Sequence, residues 1–255
     1  MNPFVQTQYI NSRSPQKLRN VPVSVPTIMW VQKGRKELLR RDEMVNLDPS
    51  YWLVVHANQH LTFLNIPEET LFQSKCVSFF LSPPEEMLVE GRLSSPAKPR
   101  IKRSQALDYG LEVITSQEFQ KLPQLAQKQF IYGFYALLNE AGILRLLFPQ
   151  KQATYAEKVF SLIGNNPGQD FRLENVAQGL SMSRATLARK LDSENTSFRQ
   201  ILRETRMTFA LSLLQDDKRP IDVALACGYK SEARFASQFK KQFGLSPRGY
   251  LATVR

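Results

Sequence analysis

The chain is poor in sulfur and histidine and has no long apolar run. Cys76 and Cys227 are its only cysteines. They are too few for a disulfide framework, and nothing around either marks it as a nucleophile. Two reduced, buried thiols suit a cytosolic chain. The opening residues, MNPFVQTQYINSRSPQKLRN, lack the apolar segment of a secretory signal. The most apolar long stretch, Ile131 to Phe148, is interrupted by Asn139, Glu140 and Arg145. A membrane span needs about 20 mostly apolar residues, so this stretch reads as a core helix. His56 and His60 are the only histidines. They stand in H-x-x-x-H spacing across an expected turn with no third imidazole, which argues against a metal site. There is no Ser/His/Asp arrangement, no phosphate-cradling Gly-rich loop and no paired CxxC. Catalytic residues, metal and cofactor are therefore not expected. Acid is also scarce: 34 Lys and Arg against 23 Asp and Glu give a net charge of +11. Without a membrane segment, that surplus points to a nucleic-acid partner.

A length of 255 residues suits two domains. The first hundred residues read as β. TIMWV (27–31), YWLVVHA (51–57), LTFLNI (61–66) and CVSFFLS (76–82) are short β-branched and aromatic runs separated by turn residues. ELLRR near Glu37 is a weaker strand. Regular short strands suggest a sandwich or barrel. Arg92, Lys98, Arg100, Lys102 and Arg103 follow with no acid between them. They form either an exposed loop or a second phosphate-contacting patch. From Gln105 the period becomes helical. Leu107, Leu111 and Ile114 suit one helix, and Phe130, Phe134, Leu137, Leu138 and Leu144 a longer one broken at Gly142. The expected division is 1–104 β-rich, 105–150 helical and 154–255 almost wholly helical. Residues 151–255 carry 17 basic and 10 acidic side chains, more than their share of the surplus.

The last hundred residues contain two similar units. In the first, at about 171–191, Leu173, Val176, Ala177 and Leu180 share a helix face. Ser181-Met182-Ser183 turns the chain, and Ser183 can cap the next helix. Leu187 and Leu191 then point inward, leaving Ala185 and Arg189 outward. In the second, at about 219–243, Pro220 suits a first helical turn. Gly228 sits where the turn needs a residue free to take φ > 0, and Ser231 can cap. Phe235, Phe239 and Phe243 face the core; Ala233, Ser237 and Lys240 lie opposite, flanked by Arg234 and Lys241. A helix from Ser197 to Gln215 joins the units. It is roughly 28 Å long, close to the ~34 Å of one DNA turn. A rod of that length can hold two recognition helices in successive major grooves.

These residues resemble the DNA-binding domain of the AraC/XylS family of bacterial transcriptional regulators. Ile221, Ala224, Cys227-Gly228-Tyr229, Phe235, Phe239-Lys240, Phe243-Gly244, Ser246-Pro247 and Tyr250 follow its most specific signature. Ser197-Phe198, Arg206, Ala210 and Leu213-Leu214 resemble its linker helix. Arg172 and Leu251 depart from the pattern, standing where a Ser or Thr cap and an Arg are common. Ala185 and Ala188 stand where larger side chains are common, so base reading in the first groove leans on Arg189. The DNA-contacting set is then Ser183, Arg184, Ala185, Thr186, Ala188, Arg189 and Lys190 with Ser231, Glu232, Ala233, Arg234, Ser237, Lys240 and Lys241. Arg suits guanine, whereas Lys, Arg and Ser hold phosphates.

The strands-then-helices order of the N-terminal half resembles the cupin-like barrel and helical dimerisation segment of many members. TIMWVQKG is reminiscent of virulence-type activators of enteric pathogens. The fold class expected is therefore α+β in two domains: a cupin-like barrel plus helices, then an all-α domain with two helix-turn-helix motifs. The resemblance implies a regulator of transcription, here expected to be an activator of double-stranded promoter DNA working with RNA polymerase. Homodimerisation is implied, and so is control by a small effector. A closed scaffold rich in Phe, Trp, Leu and Val, with Lys33, Arg35 and Lys36 at a basic rim, suits a fatty acid-like anionic amphiphile. One alternative keeps the DNA role under an inhibitory protein partner. Another, a cupin-type enzyme, requires metal ligands that the sequence lacks.

Overall fold

A computed structural model describes residues 4–40, 43–89, 99–149 and 152–255. Among the described residues the N-terminal half holds nine strands: β1 (Val5–Ser12), β2 (Gln16–Val23), β3 (Thr27–Lys33), β4 (Arg35–Arg40), β5 (Glu43–Leu47), β6 (Tyr51–Val55), β7 (Gln59–Ile66), β8 (Phe72–Phe79) and β9 (Arg100–Lys102). A short helix, α1 (Glu85–Val89), precedes β9. The strands expected at 27–31, 51–57, 61–66, 76–82 and Glu37 correspond to β3, β6, β7, β8 and β4, with the β8 segment displaced toward the N-terminus. β1 and β2 were not expected. Gln6, Gln8, Asn11, Gln16 and Asn20 interrupt their apolar positions and hide the strand signal.

The strands form two antiparallel sheets, ordered β1-β8-β3-β6-β9 and β2-β7-β4-β5. The expected barrel is therefore not closed: among the described residues the two sheets remain separate. Both faces of the five-stranded sheet are apolar and covered. Ile28, Trp52, Val54, Val77 and Phe79 face the helices α2 (Gln105–Thr115), α4 (Gln124–Glu140) and α5 (Leu144–Leu147). Val31, Leu53, Val55 and Phe72 face Leu18, Leu38 and Phe63 of the second sheet. Leu107, Leu111 and Ile114 of α2 are buried as the period required. The longer helix breaks at Gly142 (φ +71°). Phe130 lies on its exposed side, edge-on to Phe119 of the short α3 (Gln117–Lys121).

Of the basic stretch before α2, Arg92 and Lys98 lie outside the described residues. Arg103 makes two bonds to Asp108, 2.9 and 2.8 Å, and donates to the Pro49 carbonyl. Arg100 sits 3.5 Å over the Tyr51 ring and the same distance from Asp48. These two arginines tie β9 and α2 to the sheet, so they do not form a free phosphate-contacting patch.

The C-terminal helices are α6 (Tyr155–Ile163), α7 (Leu173–Gly179), α8 (Arg184–Ser193), α9 (Phe198–Gln215), α10 (Pro220–Ala226), α11 (Glu232–Phe243) and α12 (Pro247–Val254). They do not share one core. α6, α7 and α8 with Ile201 enclose their own apolar cluster. The far half of α9, with α10, α11 and α12, packs into the same core as the inside of the two sheets. The second helix-turn-helix is thus built onto the β domain, and the first stands beside it. No helix among the described residues is long and apolar enough to cross a membrane.

Candidate nucleic-acid interface

Each unit is made by the same local devices. In the first, Ser181 takes a left-handed backbone (φ +56°), and the Met182 N–H returns to the Ala177 carbonyl at 3.0 Å. The Ser183 hydroxyl then accepts from the Thr186 N–H at 3.1 Å. In the second, Gly228 (φ +76°) takes the same place, and the Tyr229 N–H returns to the Ala224 carbonyl at 2.9 Å. The Ser231 hydroxyl accepts from the Arg234 N–H. Both caps satisfy orphan donors at the start of a recognition helix.

What fixes each helix is its buried face. Leu187 and Leu191 of α8 pack on Val176 and Ala177 of α7 and on α6. Glu194, at the end of α8, accepts from the Tyr155 and Ala156 N–H groups at 2.8 and 2.9 Å, so it also caps α6. On α11 the fully buried Phe235, Phe239 and Phe243 pack in succession, tilted and edge to face, with centroids 5.7 and 4.8 Å apart. Burial pushes the Cys227 thiol beneath them up to about 12, which keeps it protonated and inert.

The opposite faces are open. Ser183, Arg184, Ala185, Ala188, Arg189 and Lys190 are exposed on α8, with Thr186 half-buried. Ser231, Ala233, Arg234, Ser237, Lys240 and Lys241 are exposed at α11, with Glu232 half-buried. These side chains differ in freedom. Ser183 and Ser231 are occupied as caps, and Arg184 lies 3.2 Å from Glu174. Lys190 lies 5.2 Å from the Tyr155 ring, and Glu232 faces Arg248 at 3.4 Å. Arg189, Arg234, Lys240 and Lys241 have no ion pair among the described residues. Unpaired cations on two outward helices attract a polyanion without first breaking an internal contact.

The basic rim expected in the N-terminal domain is not assembled. Side chains alternate along β4, so Arg35 points out toward Glu37 and Glu68 while Lys36 points in. Lys33 is exposed at the end of β3. Lys36 is buried between the sheets, 3.6 Å over the Phe63 ring, and donates to Asn65 Oδ1 at 2.5 Å. Asn65 donates to Gln16, and Gln16 to Thr253 of α12 at 2.6 Å. Burial lowers the Lys36 ammonium to about 8. The histidines do not converge. His56 contacts the Ala57 carbonyl, and His60 of β7 meets Glu204 of α9 at 3.2 Å. Sequence reasoning missed these links between the halves. It also missed the Gln242 side chain of α11, which donates to the Asn20 carbonyl of β2 at 2.7 Å. No periodicity signals contacts between side chains so distant in the chain.

Two helix-turn-helix units on one connecting helix, each with a capped and outwardly cationic recognition helix, define a two-headed DNA-binding domain. Residues 176–253 match the family model described as a helix-turn-helix domain. The porin thermoregulatory protein EnvY of Escherichia coli K12 is 37% identical over 119 residues, 46% of this chain and 47% of that protein. The HTH-type transcriptional regulator GadX of the same strain is 33% identical over 146 residues, 52% of this chain and 53% of that one. The chain thus spans about half the length of these relatives. Among solved structures, ToxT from Vibrio cholerae superposes with a TM-score of 0.63 at 17% identity, covering 97% of each chain. Wild-type ToxT bound to an unsaturated fatty acid superposes with a TM-score of 0.61 at 16% identity, covering 99% of this chain and 96% of that one. Likeness at such low identity establishes a shared two-domain fold. The C-terminal part of the chain, residues 176–253, thus carries a helix-turn-helix domain similar to those of bacterial transcriptional regulators.

Proposed function

We propose that this protein is a sequence-specific, DNA-binding regulator of transcription. It acts in the cytoplasm as an activator of double-stranded promoter DNA with RNA polymerase, under control of a small effector taken up by the N-terminal domain. The observation that carries the DNA reading is the pair of recognition helices with Arg189, Arg234, Lys240 and Lys241 exposed and unpaired. An anionic amphiphile remains the effector class favoured, but its anchor moves from a surface rim to the interior. Lys36 is a buried cation with no carboxylate partner among the described residues; an amide and two aromatic rings surround it, with the Cys76 thiol nearby. A carboxylate would supply the counter-charge that site lacks. The fatty acid bound to ToxT, a protein of the same fold, supports that class. Tyr109, Leu125 and Phe130 leave apolar surface exposed on α2 and α4, which suits these helices to homodimer contacts.

The test uses the full chain and duplexes selected from a random-sequence library. One recurrent sequence should be enriched, and its binding should weaken steeply with salt. A long-chain unsaturated fatty acid should shift that affinity for the wild-type protein and not for Lys36→Met. Enrichment of no sequence above background would overturn the DNA-binding reading. A shift that persists in Lys36→Met would move the effector elsewhere.

A further inference from the structure

The loop between α6 and α7 reaches the other helix-turn-helix unit. Asn166-Pro167-Gly168-Gln169 forms a turn closed by the Gln169 N–H on the Asn166 carbonyl, 3.2 Å. The turn lies directly on the bend of the second unit. A Cβ on Gly168 would fall 2.1 Å from the Ala226 carbonyl oxygen, and one on Gly228 would fall 2.6 Å from the Gly168 carbonyl oxygen. Backbone therefore meets backbone, at a distance only glycine allows. Arg206, midway along α9, closes the junction. Its Nε donates to the Pro167 carbonyl at 2.9 Å and its Nη2 to the Gln169 carbonyl at 3.1 Å. The guanidinium also flanks Gly228, where a Cβ would stand 3.0 Å from Nη2.

The two units sit in different apolar cores, and one helix alone leaves them free to bend and twist about its ends. A planar fork holding two carbonyls of the first unit against the bend of the second removes that freedom. We infer that Arg206, with Gly168 and Gly228, is a positioning clamp that locks the two recognition helices at one separation and angle. The clamp thereby sets the spacing of DNA half-elements that the protein accepts. This rests on the DNA-binding reading above. Arg206 touches no DNA in this scheme; it acts through α8 and α11.

Full-length wild-type protein, Arg206→Ala, Arg206→Lys and Gly168→Ala are compared, each checked for folding by circular dichroism. The probes are the duplex selected by wild-type protein and versions with one or two base pairs inserted between its two footprinted elements. Each insertion rotates and displaces the second element, so wild-type affinity should fall about tenfold or more. The same insertions should cost Arg206→Ala and Gly168→Ala only about twofold, whatever their affinity for the parent duplex. Arg206→Lys, a point charge unable to span both carbonyls, should fall between. A second readout needs no DNA. Nitroxide labels on Lys190→Cys and Lys241→Cys, in a Cys76→Ser background, should give one narrow distance distribution that broadens in both clamp variants. Spacing penalties and distances unchanged from wild type in Arg206→Ala and Gly168→Ala would overturn the clamp. If wild-type protein selects no duplex, the DNA reading falls, and the distance distributions alone decide the clamp.

Discussion

Single side chains on the recognition helices divide into readers and holders. Arg189 is exposed on α8, and its near neighbours Ala185 and Ala188 carry no polar group. Arg189→Ala should relax preference at one base pair and cost roughly 1–3 kcal/mol on the selected duplex. Lys241→Ala should weaken selected and random DNA alike and lower the salt slope by about one. Titrations of both variants on both DNAs check this, and equal losses for Arg189→Ala would remove it from base reading. Lys36 carries a prediction of another kind. The unfolded chain keeps its proton up to the ordinary value of 10.5, while the folded chain releases it near 8. Between those values the unfolded state binds more protons, so the Lys36 contribution to stability improves as pH rises. Relative to Lys36→Met, wild-type protein should gain about 2 kcal/mol between pH 7.5 and 9.5. Urea unfolding at both pH values measures it, and a constant difference would mean that Lys36 is not buried as an ammonium.

At the scale of elements, α9 does more than separate two units, because it also touches the β domain. His60 on β7 meets Glu204 on α9, with Gln200 donating to the same carboxylate and Arg203 nearby. The hydrogen bond to Glu204 raises the His60 imidazole above its usual range. Despite the opposing effect of burial, His60 and Gln200 hold Glu204 below its own usual range. A raised histidine contributes fully below its unfolded value of about 6.5 and fades as pH climbs through the folded value. A depressed carboxylate contributes above about 4.3 and fades in stronger acid. The pair should therefore hold best near pH 5.5. Melting temperatures of wild type and His60→Gln should differ more at pH 5.5 than at pH 8; an equal difference would show that the pair carries no pH-dependent stability. The elements themselves were unevenly legible. α7 to α12 follow from period, capping serines and Gly228, because helical signals are local. β1 and β2 escaped because amides occupy much of their length and their partners β8 and β7 lie far along the chain. The recognition faces were readable from the placement of Leu187, Leu191 and the three phenylalanines. The inward turn of Lys36 was not, because it depends on the register of β4 against β7.

For the molecule as a whole, the division of cores matters more than the division of sequence. The first helix-turn-helix has its own apolar cluster, whereas Leu214, Tyr250 and Leu251 pack in one cluster with residues of the β domain. A fragment from Thr154 to Arg255 should therefore keep protected amides in α6, α7 and α8. It should lose protection in α10 and α12, compared with the full chain. Hydrogen exchange followed by mass spectrometry reads both sets at once, and uniform protection throughout the fragment would contradict the shared core. An effector that alters the β domain would act on the second unit through their shared core, and on the first through α9, the turn at Gly168 and the contacts of Thr154 and Phe160 with Asn58 and Phe80.

The union of β1 and β2 with α12 sets an order on manufacture. The Arg13 N–H is bonded to the Thr253 carbonyl, and the Gln16 side chain to the Thr253 hydroxyl across a separation of 237 residues. A ribosome adding roughly 5–20 residues per second needs about ten to fifty seconds to travel that distance. For that interval the surface of the nascent β domain that α12 will cover stands bare. The buried Lys36–Asn65–Gln16 chain, which ends on Thr253, belongs to it. A growing polypeptide of this design presents an unfinished sticky face to the cell until α12 emerges, so its yield should depend on whatever shields nascent chains during that wait.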